Sequence, residues 1–282
     1  MRVCYVKEGD VEISCYLYRL FNVVHAQTIN EKEIYTLPIC TKGDADISSY
    51  RIKRAAKKLV KKLKANQIKS VALSEDLSKI ELLKSKLDSN GINILDGRIL
   101  FNYLVYDALK YIADIGGKEI KDMEVSILAN VSTDAAMEKI KALAEKVKTL
   151  NIITNNIQKF KRIESIFYNE MGILIKVSNN KNKALLRTDI IVNLDFSSDL
   201  INKYKLPDSC IILNINDNII IKSKKFNGIS VNDYEIKMPT EYKMYGFKDN
   251  VVYEEMLCRE GLQFEKNNPG NKRCENNKIN WK

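Results

Sequence analysis

The sequence predicts an α/β protein of two domains, with an N-terminal mixed α/β domain followed by a doubly wound parallel sheet. Short apolar runs of strand length alternate with amphipathic helices from about residue 69 to residue 215. Such alternation is typical of parallel strands joined by helical crossovers. The 282-residue length suits two domains. We divide the chain into 1–117, 118–262 and a polar tail over 263–282, which we expect to be disordered.

The first domain opens with β-branched and aromatic residues and contains the clearest helix of the chain. We predict strands over 2–7 and 11–18, on either side of a turn at Gly9. From residue 48 to about residue 65, apolar residues recur every three or four positions and form one stripe. Basic side chains cover the rest of this helix: Arg51, Lys53, Arg54, Lys57, Lys58, Lys61, Lys62 and Lys64. They form either a phosphate-binding face or a solvated face, and we favour the solvated face.

The remaining elements continue the alternation of strands and helices. In the first domain we predict strands over 69–73 and 92–95, and helices over 75–89 and 98–115 that end at Asn90-Gly91 and Gly116-Gly117. In the second we predict strands over 124–129, 151–154, 173–177, 190–194 and 210–215. Helices over 133–149, 158–170, 183–187 and 198–203 separate them, and a last helix covers 249–259. Continuous apolar strands are typical of a parallel sheet covered on both faces.

Composition excludes several classes of protein. No apolar run approaches the roughly 18 residues of a membrane span, and the N-terminal apolar run is too short for a signal peptide. We therefore expect a cytoplasmic protein, from a low-GC bacterium to judge by its many Lys, Ile and Asn residues. The six cysteines contain no CxxC pair and there is one histidine, so we predict reduced thiols and no metal site.

The formal net charge of +10 raises the question of a nucleic-acid partner. Lysines supply most of the positive charge, with 37 Lys against 9 Arg. Arginine makes bidentate contacts with phosphates and bases, whereas scattered lysine mainly adds solubility and nonspecific attraction. Specific nucleic-acid binding is therefore a secondary hypothesis.

Three segments of the second domain carry a pattern that points to a ligand. They are ITNNIQK over 153–159, ALL over 184–186 and TDIIVN over 188–193. Together they resemble NAD(P)-binding Rossmann-fold proteins of the shikimate dehydrogenase and glutamyl-tRNA reductase type. In those proteins the first segment faces the adenosine ribose and the last ends beside the nicotinamide. The resemblance covers about residues 120–216 and implies a Rossmann-like second domain with NADP as the candidate cofactor.

The first strand–helix turn of this domain departs from the family. The family's G-x-G-x-x-G sequence lets the backbone approach the pyrophosphate at a helix N-terminus. Residues 129–134 read ANVSTD, without glycine and with a negative charge at Asp134, so amides and hydroxyls would have to hold a phosphate. A serine or threonine here is also a candidate helix N-cap. The candidate cofactor-binding residues are Asn130, Ser132, Thr133, Asn155, Lys159 and Asn193.

The sequence does not identify catalytic residues. The N-terminal domain shows neither the Lys/Asp pair of shikimate dehydrogenase nor the nucleophile context of glutamyl-tRNA reductase. His25 is either a general acid–base or a structural residue, and we favour the structural role. We expect the carboxylates that have no partner histidine to lie on a solvated surface; they are Asp233, Glu235, Glu254 and Glu255.

Three functions follow from these observations. The first is a degenerate Rossmann-like protein that binds a small ligand or a protein partner without hydride transfer. The second is an NADP-dependent oxidoreductase with an atypical phosphate loop. The third is a basic nucleic-acid-binding protein that uses the helix near residues 51–64. We favour the first, because the strand–helix alternation is kept while the glycine loop is missing.

Overall fold

The computed structural model describes residues 2–9, 24–29, 32–39, 49–223, 226–260 and 279–281. The chain forms two domains, one of residues 1–100 and 236–279 and the other of residues 101–235 and 280–282. The α/β class with two domains is thus confirmed. The predicted second domain extends to residue 262. In the structure, residues 236–260 belong to the first domain instead. The reason is that Val251 and Val252 of the final helix pack against Tyr5 and Ala72 of the first sheet.

The first domain contains a five-stranded sheet in the order β2-β3-β1-β4-β5. Its strands are β1 (Val3–Glu8), β2 (His25–Ile29), β3 (Lys32–Leu37), β4 (Ser70–Leu73) and β5 (Asn93–Leu95). Only the edge strand β2 pairs antiparallel with its neighbour. Strands β2 and β3 were not predicted from the sequence, because polar residues interrupt both. The predicted strand over 11–18 lies outside the described residues.

Helices cover both faces of this sheet. The first three helices are α1 (Ser49–Ala65), α2 (Glu75–Ser78) and α3 (Glu81–Asp88). The next helix, α4 (Arg98–Tyr103), crosses the boundary between the two domains at residue 100. The predicted α1 is confirmed, and its apolar stripe is buried in the core. The helix predicted over 75–89 is two helices, because the backbone at Ile80 is extended. The predicted stop at Asn90-Gly91 is confirmed by Gly91, whose φ of +72° is the left-handed conformation that glycine adopts easily.

The second domain contains a six-stranded sheet in the order β11-β10-β9-β6-β7-β8, with every neighbouring pair parallel. The strands are β6 (Glu124–Leu128), β7 (Thr149–Ile153), β8 (Ile175–Ser178), β9 (Ile190–Asn193), β10 (Ile211–Asn214) and β11 (Ile229–Val231). Starting from β8, the strands run third, second, first, fourth, fifth and sixth in chain order. This is the order of dinucleotide-binding domains, and it confirms the predicted doubly wound sheet.

Four described α-helices accompany this sheet: α5 (Val105–Ile115), α6 (Asp134–Ala144), α7 (Ile157–Met171) and α8 (Ser198–Ile201). The helix predicted over 98–115 is divided at Leu104 into α4 and α5. The helix predicted over 183–187 is a series of turns, in which the Asn180 side chain accepts hydrogen bonds from the N–H groups of Asn182 and Lys183. An asparagine that accepts such bonds favours a turn over a helix.

The final helix, α9 (Asp249–Glu260), matches the predicted one. Two further strands, β12 (Tyr234–Ile236) and β13 (Ile279–Trp281), pair with each other. The rest of the tail that we expected to be disordered, residues 263–278 and 282, lies outside the described residues.

Candidate functional site

The candidate site lies where the strand order of the second sheet reverses. In open α/β sheets, ligands bind beyond the carboxyl ends of the strands at such a switch point. Here the point falls between β6 and β9, which are adjacent and parallel. The loops that leave this edge are 129–133 after β6, 154–156 after β7 and 194–197 after β9. Each sequence-predicted site residue lies in one of the first two loops, at the end of β9 or at the start of α7.

A carboxylate from the β9 loop is bound by the backbone of the β6 loop. Both oxygens of Asp195 accept the N–H of Asn130, at 2.7 and 2.8 Å, and Oδ2 also accepts the N–H of Val131, at 2.7 Å. Hydrogen bonds from backbone N–H groups to a carboxylate are charge-assisted and stronger than neutral ones. The loop that stands in the place of a glycine-rich phosphate loop therefore holds an anion supplied by the protein itself.

Asn130 also links this loop to the next one. Its side-chain Oδ1 accepts a hydrogen bond from the backbone N–H of Asn155, at 2.9 Å. The neighbouring Thr154 is fully buried, and its Oγ1 accepts the N–H of Asn156 at 3.0 Å. The structure thus brings Asn130 and Asn155 into direct contact, while the side chain of Asn155 remains exposed at the edge of the sheet.

The other predicted residues of these junctions have separate roles. Thr133 is the N-cap of α6, where its hydroxyl accepts the N–H of Ala136 at 3.2 Å. Ser132, beside it, is half-buried. Lys159 lies exposed in the first turn of α7, on the same junction as Asn155. The assignment of these residues to a ligand remains a prediction.

Asn193 belongs to a row of buried amides. It is 3% exposed, donates Nδ2 to the carbonyl of Phe196 and to Oδ1 of Asn214, and accepts the N–H of Phe196 at 2.8 Å. Asn214 in turn donates to Ser230 Oγ and Asn232 Oδ1, both at 3.0 Å. These bonds join the carboxyl ends of β9, β10 and β11. Both side-chain polar atoms of Asn193 thus have protein partners, and its assignment to a cofactor stays a prediction.

The β6 loop does not fit a dinucleotide pyrophosphate. The N–H groups of Asn130 and Val131 already bond to Asp195. A phosphate that replaced this carboxylate would leave the Asp195 charge without those donors, and Asp134 in the first turn of α6 adds a second negative charge. Both carboxylates carry the same sign of charge as a phosphate and would repel it. The sequence missed Asp195, whose only signal was its position just after an apolar strand.

The first domain contains a buried acid that was predicted to lie on the surface. Glu254, expected on a solvated surface, is 1% exposed. Its burial, with a further contribution from the charge of Asp96, raises its pKa to about 8, although the backbone N–H groups of Gly97 and Ile99 bond to the carboxyl group and oppose the shift. Its Oε2 atom is buried and has no hydrogen-bond partner among the described residues. Burial of this kind favours the protonated, neutral form.

The neighbouring Glu255 is also buried, at 2% exposure, so the surface prediction is wrong for both glutamates. Its Oε2 accepts the hydroxyl of Tyr5 at 2.8 Å, and its Oε1 lies 3.4 Å from Nε of Arg259. Lys32 lies over the Tyr5 ring, 5.2 Å from the centroid, and burial lowers its pKa. These contacts hold α9 against β1 and form a structural network.

Other sequence candidates have ordinary surroundings. His25 is a half-buried residue of the edge strand β2, paired in register with Thr36. Cys4 and Cys210 are buried free thiols, and burial raises the pKa of Cys210 to about 12. Within the described ranges, no group of three or more His, Cys, Asp and Glu side chains is placed to hold a metal ion. None of the described helices is both long and apolar enough to cross a membrane.

Comparison with known proteins shows no family for this chain. No protein-family model matches the chain, and no curated protein matches it by sequence. A solved structure from Ralstonia solanacearum, assigned as a D-3-phosphoglycerate dehydrogenase, is similar with a TM-score of 0.40 and 9% identity over 89% of this chain and 88% of that one. The L-tryptophan dehydrogenase of Nostoc punctiforme has a TM-score of 0.31 and 9% identity, over 92% of this chain and 68% of that one. The D-mandelate dehydrogenase of Rhodotorula graminis has a TM-score of 0.34 and 8% identity, over 79% of this chain and 76% of that one.

Likeness at this level carries no argument about activity or cofactor. The fold rests on the strand order and the parallel pairing described above. The second domain is Rossmann-like. Its narrower resemblance to the shikimate dehydrogenase and glutamyl-tRNA reductase type stays a prediction from the sequence.

Proposed function

We propose that the protein is a Rossmann-like binding protein that takes a small polar ligand or a protein partner at the carboxyl edge of its second sheet, without hydride transfer. The observation that carries this proposal is the Asp195 carboxylate on the N–H groups of Asn130 and Val131. An internal anion on the β6 loop takes donors that a dinucleotide-binding loop offers to the pyrophosphate. We place this activity in the cytoplasm.

The same edge retains groups that bind polar molecules. The side chains of Asn155 and Asn156 are exposed beside the half-buried Ser132, and Lys159 adds a positive charge on the first turn of α7. Amides, a hydroxyl and one cation suit a small molecule that carries hydrogen-bonding groups and a single negative charge. The buried amide row behind Asn193 keeps the strand ends fixed while such a ligand binds.

The second candidate is an NADP-dependent oxidoreductase with an atypical phosphate loop. The six-strand order of dinucleotide-binding domains favours it, as does the exposed Lys159 at the junction where those domains hold the adenosine ribose. A lysine at this position would attract the 2′-phosphate of NADP. The loop after β6 argues against this function, because the N–H groups of Asn130 and Val131 already bond to Asp195.

One thermal-shift experiment separates the two candidates. The full chain is heated with amino acids, nucleosides, carboxylic acids, NADPH, NADP and NADH, alongside the Asn155→Ala and Lys159→Glu variants. We expect a small polar compound to raise the Tm of the wild type but not that of Asn155→Ala, and the three dinucleotides to have no effect. Asn155→Ala removes the exposed amide and keeps the backbone N–H that bonds to Asn130.

The exposed Lys141 on α6 provides a matched control, Lys141→Glu, with the same change of charge. A rise in Tm with NADPH that is lost in Lys159→Glu and kept in Lys141→Glu would replace the proposal with the oxidoreductase. If no compound of the panel stabilises the wild type, the small-ligand half of the proposal is wrong and a protein partner is left.

A further inference from the structure

Most of the protein's excess positive charge lies on one helix. Helix α1 carries eight basic side chains and no acidic one. Since the whole chain has a formal net charge of +10, all the other residues together carry only +2. The positive charge is therefore concentrated, in contrast to the scattered lysine that the overall composition suggested. Charge clustered on one helix produces a local field that a uniform surface does not.

The basic residues are distributed around the whole exposed half of α1. Successive residues of a helix are about 100° apart, so the buried positions from Ile52 to Leu63 occupy one side. The basic residues cover the other half of the circumference without a gap. From Arg51 to Lys64 they extend along roughly 20 Å of the axis, at about 1.5 Å per residue. This length is enough to face several consecutive phosphates of a nucleic-acid strand.

Four of these cations are exposed and have no acidic partner among the described residues: Lys53, Arg54, Lys57 and Lys61. Elsewhere, exposed lysines form ion pairs, such as Lys79 with Asp76 at 3.0 Å and Lys121 with Glu119 at 2.7 Å. Like charges four residues apart on a helix, as at Lys53, Lys57 and Lys61, each cost a few tenths of a kcal/mol. A bound polyanion would remove this repulsion.

An exposed aromatic ring lies within the same face. Tyr50 is 69% exposed in the first turn of α1. Around the helix axis, its angular position falls between those of Lys57 and Lys61, near the middle of the basic half. Along the axis, it lies at the N-terminal end of this face. Aromatic rings beside cations are the arrangement on which proteins stack unpaired bases, while the cations follow the phosphates.

We propose that this face of α1, defined by Tyr50, Lys53, Arg54, Lys57 and Lys61, binds single-stranded nucleic acid through its phosphates and one stacked base. The competing polyanion is an anionic membrane surface. A helix that lies in a membrane interface inserts its apolar face, and the apolar face of α1 is already buried in the protein core. Nucleic acid needs only the charged face and the ring. This site belongs to the first domain and is independent of the function proposed for the second.

The test is fluorescence anisotropy of a labelled thymidine oligonucleotide with the full chain. We expect binding that weakens as salt rises from about 50 to about 200 mM. Reversing four charges in K53E/R54E/K57E/K61E should weaken binding by at least about 100-fold and lower the salt dependence of log Kd by about 3, at about 0.7 per phosphate contact. Tyr50→Ala should weaken it about tenfold, and Tyr50→Phe, which keeps the ring, should not.

The control is K110E/K141E/K176E/K237E, which changes the net charge equally at exposed lysines outside α1. Its Kd should stay within about threefold of the wild-type Kd at the same salt concentration. An equal loss of oligonucleotide affinity in the control and in the α1 variant would show that α1 is not the binding site. Undetectable oligonucleotide binding, or tight binding to phosphatidylserine vesicles alone, would show that nucleic acid is not the ligand. Equal binding of duplex with no effect of Tyr50→Ala would overturn the single-stranded specificity.

Discussion

Each domain holds a carboxylate against backbone N–H groups at a junction that precedes a helix, but the two carboxylates have different surroundings. In the second domain Asp195 is half-buried, and both of its oxygens accept backbone N–H groups. In the first, Glu254 is buried beside the start of α4, and one of its oxygens has no partner among the described residues. Similar donors therefore act on two acids that differ in burial and in the number of satisfied oxygens.

The difference shows how burial decides what such a carboxylate does. Near solvent, a carboxylate with full hydrogen bonding can remain charged and take the place of a bound anion. In the core, the loss of hydration favours the neutral acid even when two N–H groups oppose it. We therefore interpret Asp195 as an internal anion that closes the phosphate loop, and Glu254 as a structural acid that is protonated at neutral pH.

The largest expected effect concerns Glu254→Gln. Folding raises the pKa of this carboxyl group from an ordinary value near 4.5 to about 8, so the folded state binds more protons between these values. The stability of the wild type should therefore fall as pH rises from about 4.5 to about 8, by roughly 4 kcal/mol from this group. Glutamine cannot ionise, so the variant should lack this decline and be the more stable protein at about pH 8.

Urea unfolding at about pH 5 and about pH 9 measures this effect as the difference between variant and wild type. Glu241→Gln, at an exposed position of the same domain, is the control and should follow the wild type at both values. A parallel decline in Glu254→Gln and the wild type would show that Glu254 is ionised in the folded protein.

A smaller effect is expected when Asp195 is replaced. Asp195→Ala leaves the N–H groups of Asn130 and Val131 without their acceptor and should lower the free energy of unfolding by about 2–3 kcal/mol. Asp195→Asn keeps one acceptor oxygen and should cost about 1 kcal/mol. Asp217→Ala, at an exposed aspartate of the same domain, should stay within about 0.5 kcal/mol of the wild type.

Urea unfolding near neutral pH measures all three aspartate variants. Equal stability of Asp195→Ala and Asp217→Ala would mean that the carboxylate does not hold the loop. The contrast between the two domains would then be lost.

The sequence predicted the parts of the fold that are locally determined. The alternating apolar runs predicted the second sheet, and the three- and four-residue spacing predicted α1 to within one residue at its start. It failed where long-range contacts decide the outcome. Strands β2 and β3 have interrupted patterns. Strand β3 is stabilised by pairing with β1, and β2 by pairing with β3. The adjacent glutamates of α9 look solvated by composition and are buried only because the helix packs on a distant sheet.

The candidate site shows the same division. The absence of glycine after β6 was visible in the sequence, and the hypothesis of an altered phosphate loop rests on it. The reason for the alteration was not visible, because Asp195 lies 65 residues after Asn130 and reaches it only through the pairing of β6 with β9. The asparagines that end IIVN and IILN were the only local sign of the amide row formed by Asn193 and Asn214.

An NMR titration with NADPH that follows the backbone amide resonances of Asn130 and Val131 tests whether Asp195 takes the place of a cofactor phosphate on the β6 loop. If the Asp195 carboxylate holds both N–H groups, neither resonance should show a saturable shift up to millimolar NADPH. A saturable shift of both resonances at micromolar NADPH would show that the cofactor displaces the carboxylate, and that the β6 loop binds a dinucleotide after all.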